Sequence, residues 1–355
     1  MTFEEIIQRR LFCQNLSIDN FTKPNEIVRW FGAVQSQDFS GSTWALSQRL
    51  KFSSNKELEE SFNAGEILRT HVMRPTWHFV TPEDILWMVE LTGARVKRSM
   101  NTYNKALGLD DQIFEKSEKI IEKALKNNNY LTRGELGILL QKNGINWHGN
   151  GLAHIVSTAE LNKIICSGPK KGKLQTYALL SERAPKAIRL SKEDALKELA
   201  KRYFQSHGPA QIIDYVWWSG LLTSDAKKGI ELNTQIKSEI VDGKTYYFFD
   251  TKFEKSIKKV YLLPNYDEYT VAFRDREVLT KNVDKTKLDF RQNSLFNHVV
   301  IIDGKIEGVW RRTIKSMSVI IETRLFRVLV ESEKEELDKS LHEYAKFLNL
   351  ELKTI

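Results

Sequence analysis

Ser167-Gly168-Pro169-Lys170-Lys171-Gly172-Lys173-Leu174 is a basic turn between two short strand-like runs, and three helical periods stand directly before it. Ile120, Ile121, Ala124 and Leu125 recur at the spacing of one amphipathic helix; Thr132 caps a second that carries Leu136, Leu139 and Leu140. After Asn150-Gly151 a third runs through Leu152, Ile155 and Ala159. Helix, helix, helix, hairpin is the order of a winged helix, a helix-turn-helix variant whose third helix can lie in a DNA groove while the basic hairpin reaches the backbone.

The same order returns on the C-terminal side. Ser191 with Asp194 makes a capping-box-like start for a helix through Leu196, Leu199 and Tyr203, which His207-Gly208-Pro209 stops. Ile212, Ile213, Val216 and Trp217 mark the next helix, Gly220 ends it, and Ser224 opens a third carrying Lys227 and Lys228. Asp242-Gly243 between Glu239-Ile240-Val241 and Thr245-Tyr246-Tyr247-Phe248 is a two-residue hairpin signal. On the N-terminal side, periodicity predicts helices over 3–15, 25–34 and 55–63, then strands over 67–80 broken at Pro75, which cannot donate to a central ladder. Thr81-Pro82-Glu83-Asp84 opens a further helix through Leu86, Val89 and Leu91.

Beyond about Lys255 strand signals dominate. Val260-Tyr261-Leu262-Leu263, Tyr269-Thr270-Val271-Ala272-Phe273, and the runs 299–302 and 306–310 around Asp303-Gly304 predict a meander or small barrel, closed by an amphipathic helix over 337–348. The expected fold class is α+β: tandem winged-helix (helix-turn-helix) domains over 1–105, 106–190 and 191–255, and a C-terminal β-rich module with a terminal helix over 256–355. The three units repeat in element order rather than residue identity. No low-complexity linker divides the chain, so the modules are expected to pack into one body.

The chain has 355 residues, enough for two or more domains, and 41% hydrophobic residues are enough to build their cores. Lys+Arg 54 against Asp+Glu 46 leaves a formal charge of +8, compatible with a polyanionic partner. Cys13 and Cys166 are the only cysteines, which excludes a disulfide framework and a cysteine-ligated zinc or iron–sulfur site. The start Met1-Thr2-Phe3-Glu4-Glu5 lacks the basic and apolar runs of a signal peptide, and no apolar stretch is long enough to cross a bilayer. A soluble, cytoplasmic protein is expected, with no membrane partner.

Ala33-Val34-Gln35-Ser36-Gln37-Asp38-Phe39 lies at the end of the helical period marked by Ile27, Trp30, Phe31 and Val34. Glutamines at i and i+2 point about 200° apart on a helix but to the same side of an extended backbone. Acting together requires the helix to end there, and Ser40-Gly41-Ser42 supplies residues that favour caps and turns. An amide offers one acceptor and two donors but no useful base at neutral pH. The pair could therefore hold a water or orient a polar ligand without deprotonating it. Both amides could equally cap backbone groups at a helix end.

Six blocks carry a resemblance. Gly32 to Asp38, Arg69 to Val80, His207-Gly208-Pro209-Ala210, Asp214 to Leu221, Leu262-Leu263-Pro264-Asn265-Tyr266-Asp267-Glu268-Tyr269 and Val309-Trp310-Arg311-Arg312-Thr313 resemble the AlkZ/YcaQ-like winged-helix family. The resemblance spans nearly the whole chain, with the blocks in the family's order. It implies tandem winged helices around a basic DNA channel and, in characterised members, a monofunctional DNA glycosylase that removes alkylated bases, including those in interstrand crosslinks. Members place Gln-x-Gln or Gln-x-Asp at the site, and Gln35-Ser36-Gln37 matches the first form, which assigns Gln35 and Gln37 to catalysis. Double-stranded DNA is the implied partner of a monomer, no cofactor is implied, and no lysine is implied as a nucleophile.

N7-alkylated guanine is positively charged, so its glycosidic bond is already activated, and the enzyme mainly has to place water and stabilise an oxocarbenium-like sugar. Oriented amide oxygens can do both. Arg69, Arg74, Trp77 and His78 suit phosphate contact and stacking, and His71 with His78 could line a channel; a third partner for a metal is lacking. Lys170, Lys171, Lys173, Arg311 and Arg312 make a distributed basic surface. Asp267 and Glu268, read as strand neighbours, point to opposite faces and suit structural roles; Asp38 suits a cap, and Trp217-Trp218 packing. The competing function is a non-catalytic winged-helix DNA-binding protein, such as a transcriptional regulator, in which the glutamines are structural.

Overall fold

Several helices in this chain start where a short polar side chain can take an orphan amide. Thr2 Oγ1 accepts from Glu5 N at 3.2 Å, Asp110 Oδ1 from Ile113 N at 2.8 Å and Thr132 Oγ1 from Glu135 N at 3.2 Å. These caps open α1 (Phe3–Cys13), α6 (Asp111–Leu125) and α7 (Arg133–Lys142) in a computed structural model that describes residues 1–18, 20–51, 53–253, 260–280, 283–284, 286 and 297–354. The expected boundary at 255–256 falls outside the described residues.

Between α1 and α6 run α2 (Pro24–Phe31), β1 (Val34–Gln35), α3 (Phe39–Ser47), α4 (Asn55–Ala64), β2 (Leu68–His71), β3 (Trp77–Val80) and α5 (Ile85–Ala106). Then β4 (Leu131–Thr132) precedes α7, followed by α8 (Gly151–Leu161), β5 (Ile165–Ser167), β6 (Thr176–Leu179), α9 (Leu180–Arg183) and α10 (Lys192–Ser206). The remainder is α11 (Ile212–Ser219), α12 (Thr223–Glu231), β7 (Ile236–Val241), β8 (Lys244–Phe249), β9 (Val260–Leu263), α13 (Glu268–Val271), α14 (Glu277–Thr280), β10 (His298–Ile302), β11 (Lys305–Ile314), β12 (Ser318–Leu325), α15 (Glu331–Leu348) and β13 (Glu351–Thr354). The chain is thus a mixture of α and β, as expected.

Contacts divide it into two compact units: 1–59 with 197–218 and 223–355, and 60–196 with 219–222. In the second unit, Ile121 and Leu125 of α6, Leu136 and Leu140 of α7, and Ile155 and Ala159 of α8 share one core with Ile165 and Leu179. These are the residues at helical spacing in the sequence. β5 and β6 pair antiparallel around the basic turn, with β4 on the other edge of β6. β2 and β3 form an antiparallel hairpin in which Arg69 faces Phe79 and His71 faces Trp77. Pro75 sits in its turn and so removes no ladder bond.

The first unit carries a five-stranded sheet in the order β13-β12-β11-β10-β9, antiparallel except for β13 beside β12. It is an open sheet built on a meander, not a barrel. Two differences from the expected strands have local causes. The run 269–273 is not a strand, because Asp267 Oδ1 accepts from Tyr269 N at 2.8 Å and caps the short helix α13; an apolar run of that length carries no period that distinguishes the two states. β12 was not anticipated, since its outward residues alternate weakly with its core. At the β10–β11 turn Gly304 has φ +78, and a Cβ there would lie 2.1 Å from Ile7 Cγ2, so only glycine fits against α1.

Two polar clusters anchor this unit. Arg49 and Asp267 are buried and meet as a double bridge, Nη1 to Oδ2 at 2.9 Å and Nη2 to Oδ1 at 2.7 Å. The remaining guanidinium donors go to Ala45 O, Gln14 O and Gln14 Oε1, so all five are used. At the β10 end, His298 Nδ1 accepts from Asn265 N at 2.9 Å, while its Nε2 lies 3.0 Å from Arg312 Nη1. Burial, and then the Arg312 charge, lower the His298 pKa to about 4.

Removing one partner of the double bridge leaves a charge buried alone. Asp267→Ala is therefore expected to lower unfolding free energy by roughly 3–5 kcal/mol, whereas Arg49→Met with Asp267→Leu restores most of it. Urea denaturation of the three proteins checks this; equal losses in single and double variants would contradict it. His298 titrates lower in the folded than in the unfolded chain, so its stabilising contribution is complete above the ordinary histidine value of about 6.5 and is lost as pH falls toward about 4. On the order of 3 kcal/mol is at stake across that window, and His298→Gln should flatten the slope of stability between pH 6.5 and 4 relative to wild type.

Candidate active site

The Gln-Ser-Gln motif follows a helix that stops early. Pro24 starts α2, but Gly32 adopts φ +86 after Phe31, and its N–H bonds back to Val28 O and Arg29 O. The chain leaves the helix before Val34, whose helical spacing in the sequence is coincidental, and Val34 and Gln35 are extended. Three residues on, Asp38 caps α3: its Oδ1 accepts from Gly41 N at 3.1 Å and from Ser40 Oγ at 3.2 Å. Ser40-Gly41-Ser42 is accordingly the first turn of a helix rather than a loop. A Cβ on Gly41 would sit 2.9 Å from Asp38 Oδ2 and 3.3 Å from Pro264 Cβ, which keeps this turn tight against the segment before α13.

The motif thus occupies a short crossing between two helix ends. Gln35 is 6% exposed, Ser36 is buried and Gln37 is exposed. Gln35 N donates to Glu268 Oε1 at 2.6 Å. That carboxylate is itself 1% exposed; its Oε2 accepts from Trp218 Nε1 at 2.9 Å and lies 3.3 Å from His207 Nε2. The His207 ring stacks on Tyr203 at 4.8 Å, and Phe31 meets it edge-on at 5.1 Å. Burial lowers the His207 pKa, with Glu268 pulling in the opposite direction. Chemically, the arrangement presents one sheltered and one solvent-facing amide on a backbone pinned by a buried acid.

Glu268 is the residue that sequence reading set aside. Taken as a strand neighbour of Asp267 it had no evident task, yet α13 lets the two acids take separate sets of partners. The signal was the Leu-Leu-Pro-Asn-Tyr-Asp-Glu-Tyr block itself. Arg312 donates to Ser40 Oγ at 3.0 Å, approaches Asp38 Oδ2 at 3.7 Å and is only 13% exposed, so it supports the α3 cap rather than offering a free surface charge. Its neighbour Arg311 is exposed on β11. Trp218 is fully buried, and Trp217 Nε1 donates to Val271 O at 2.9 Å, so both tryptophans pack.

In the second unit, the basic turn presents Lys171 and Lys173 to solvent around Gly172 at φ +63, with Lys170 half-buried. Lys171 Nζ lies 2.8 Å from Glu135, whose pKa is held down to about 2 by that lysine and by its capping bonds to Thr132. Arg69, His71 and Trp77 come together on one face of the β2–β3 hairpin: the Arg69 guanidinium covers the Trp77 ring at 4.4 Å, and the His71 ring lies 4.6 Å from it. His71 Nδ1 is bonded to the Glu160 carboxylate. Arg74 is half-buried at the turn. His78 is fully buried, with Nδ1 2.9 Å from Thr76 O, and takes a core position instead of lining a channel, because the strand alternation that exposes Trp77 turns it inward. Among the described residues no group of three or more His, Cys, Asp or Glu could hold a metal ion, and no helix is long and apolar enough to cross a membrane.

The model of the AlkZ-like DNA glycosylases matches residues 28–347. An interstrand DNA cross-link repair glycosylase from Streptomyces sahachiroi is 20% identical over 312 residues, which cover 81% of this chain and 82% of that protein. The solved structure of the Streptomyces sahachiroi DNA glycosylase AlkZ superposes with a TM-score of 0.76 at 15% identity, covering all of both chains, and so shares the fold. With a family match over nine-tenths of its length, the chain belongs to the AlkZ-like DNA glycosylase family.

Proposed function

We propose that this protein is a monofunctional glycosylase that hydrolyses the N-glycosidic bond of bulky or crosslinked N-alkylpurines of the N7-alkylguanine type, working as a monomer on double-stranded DNA in the cytoplasm. The proposed scaffold is three tandem winged helices over 1–105, 106–190 and 191–255 with a β-rich module over 256–355. The helix-helix-helix-hairpin order of α6, α7, α8 and β5–β6 supports the second winged helix, and that of α10, α11, α12 and β7–β8 the third.

The observation that carries the reading is the Gln35 backbone, held by a buried carboxylate immediately after a helix stop, beside an exposed second glutamine. Gln35 and Gln37 orient one water toward the sugar C1′. As the bond to the purine nitrogen breaks, its electron pair leaves with the base and neutralises the alkylated ring; the water oxygen bonds to C1′, and its proton passes to solvent. Neither amide takes the proton, and none needs to, because the leaving base is cationic at the start. The amide dipoles act on the developing oxocarbenium charge. Lys171, Lys173 and Arg311 contribute phosphate contacts, which position the duplex without reading its sequence.

Release of N7-alkylguanine from labelled duplex should fall roughly 10²-fold in Gln35→Ala and in Gln37→Ala, at enzyme concentrations where both variants still bind DNA. Tight duplex binding with no release by wild type, from simple or crosslinked adducts, would assign the chain to the non-catalytic DNA-binding reading. Duplex affinity should also drop log-linearly with salt, roughly 10³-fold between about 50 and 200 mM if some six phosphates are neutralised; a flat response would remove the basic surface from the reading.

A further inference from the structure

A cavity of about 220 Å³ opens in the second unit beside the β2–β3 turn, between α5 and α8. Trp77, Met100, Tyr103 and Ser157 line it together with two imidazoles, His71 and His154. An apolar cavity of about 150 Å³ suffices for benzene, so this one admits a two-ring heterocycle, and it is smaller than the ~300 Å³ at which pockets for drug-sized molecules begin. Tyr103 is 68% exposed at the mouth, whereas Met100 and Ser157 are buried.

Both imidazoles are fixed through Nδ1. Glu160, 1% exposed, bonds His71 Nδ1, which leaves Nε2 as the ring's other polar atom. Asn104 Oδ1 lies 2.6 Å from His154 Nδ1, and burial, then the nearby His71, lower the His154 pKa, while Nε2 is the ring's other polar atom. Apolar side chains of the same volume would stabilise this unit at least as well as a buried carboxylate–imidazole pair. The pair and the unfilled space beside it therefore call for a ligand rather than a packing explanation.

We propose that this cavity is a slot for a single unpaired nucleobase of bound DNA, with Trp77 and Tyr103 flanking the ring and Nε2 of His71 and His154 meeting its hydrogen-bonding edge. The slot rests on the reading of the chain as DNA-directed, but it does not require base release. Arg69 beneath the Trp77 ring holds the indole in place, and an aromatic platform of this kind tolerates any base, because every base has a π-face.

The test is 2-aminopurine fluorescence in a duplex that carries this base opposite an abasic analogue, at saturating full-length protein. Wild type should quench the unpaired probe and bind this duplex roughly tenfold tighter than the fully paired one, as base–aromatic stacking predicts. Ala153→Phe, which fills the cavity from α8, should lose the quenching and the preference while binding paired duplex as wild type does. Quenching that survives Ala153→Phe overturns the slot, as does an unquenched probe in a wild-type complex. Equal quenching of the free 2-aminopurine nucleoside would overturn the assignment to DNA. Gln35→Ala separates the two readings: a variant that neither releases base nor loses quenching upholds the slot, and a wild type that quenches without releasing base refutes only the glycosylase. A protein that binds no duplex refutes both.

Discussion

Two adjacent carboxylates, Asp267 and Glu268, sit almost wholly out of water, and most of what surrounds the Gln-Ser-Gln crossing is arranged to make that tolerable. An isolated charge in such a place would cost several kcal/mol. Asp267 is matched by Arg49 in a double bridge whose every donor is used, and the same guanidinium ties the end of α1 to the end of α3 through Gln14 and Ala45. Glu268 takes a different set of groups. An indole N–H, an imidazole and the backbone amide of Gln35 hold it. The position of the motif is thus set by a residue 233 positions away in the chain, and the crossing cannot drift without exposing a buried acid to a missing partner.

This dependence explains which parts of the molecule were legible beforehand. α6, α7, α8 and the β7–β8 hairpin follow from short-range signals: apolar residues at helical spacing, a capping threonine, an Asp-Gly turn whose residues take φ +50 and +73. The stop of α2 at Gly32 and the cap of α3 at Asp38 are just as local, although the start of α3 was hidden by Ser-Gly-Ser, which favours turns and helix starts alike. What could not be read was any pairing over long range. Glu268 beneath Gln35, Arg312 behind Asp38 and Glu160 behind His71 each join segments that only the folded chain brings together, and no period or spacing in the sequence encodes them.

The basic residues show the same limit from the other side. Charge counting treats Arg69, Lys171, Arg311 and Arg312 as equivalent, yet burial sorts them: Arg69 lies under an indole, Arg312 braces a helix cap, Lys171 shares its charge with Glu135, and Arg311 alone of the pair on β11 points into solvent. Strand alternation accounts for the Arg311–Arg312 difference and for the opposite fates of Trp77 and His78. It could have been applied to the sequence once the strands were located.

The buried acid also bears on why amides rather than carboxylates occupy the motif. A carboxylate at position 35 would sit on the residue whose own N–H is bonded to Glu268, at 2.6 Å, in a site with 6% exposure. Desolvation and the neighbouring negative charge would both raise its pKa, so its charge would vary with conditions in the range where the protein works. An amide in the same place keeps a fixed dipole across that range, and it adds no second charge for the core to balance. On the proposed reading the substrate arrives positively charged and asks for orientation more than for a base, and an uncharged group supplies orientation without titrating. Sensitivity to acid then belongs to the supports, to His207 behind Glu268 and His298 behind Arg312, whose pKa values burial lowers, and not to the two glutamines.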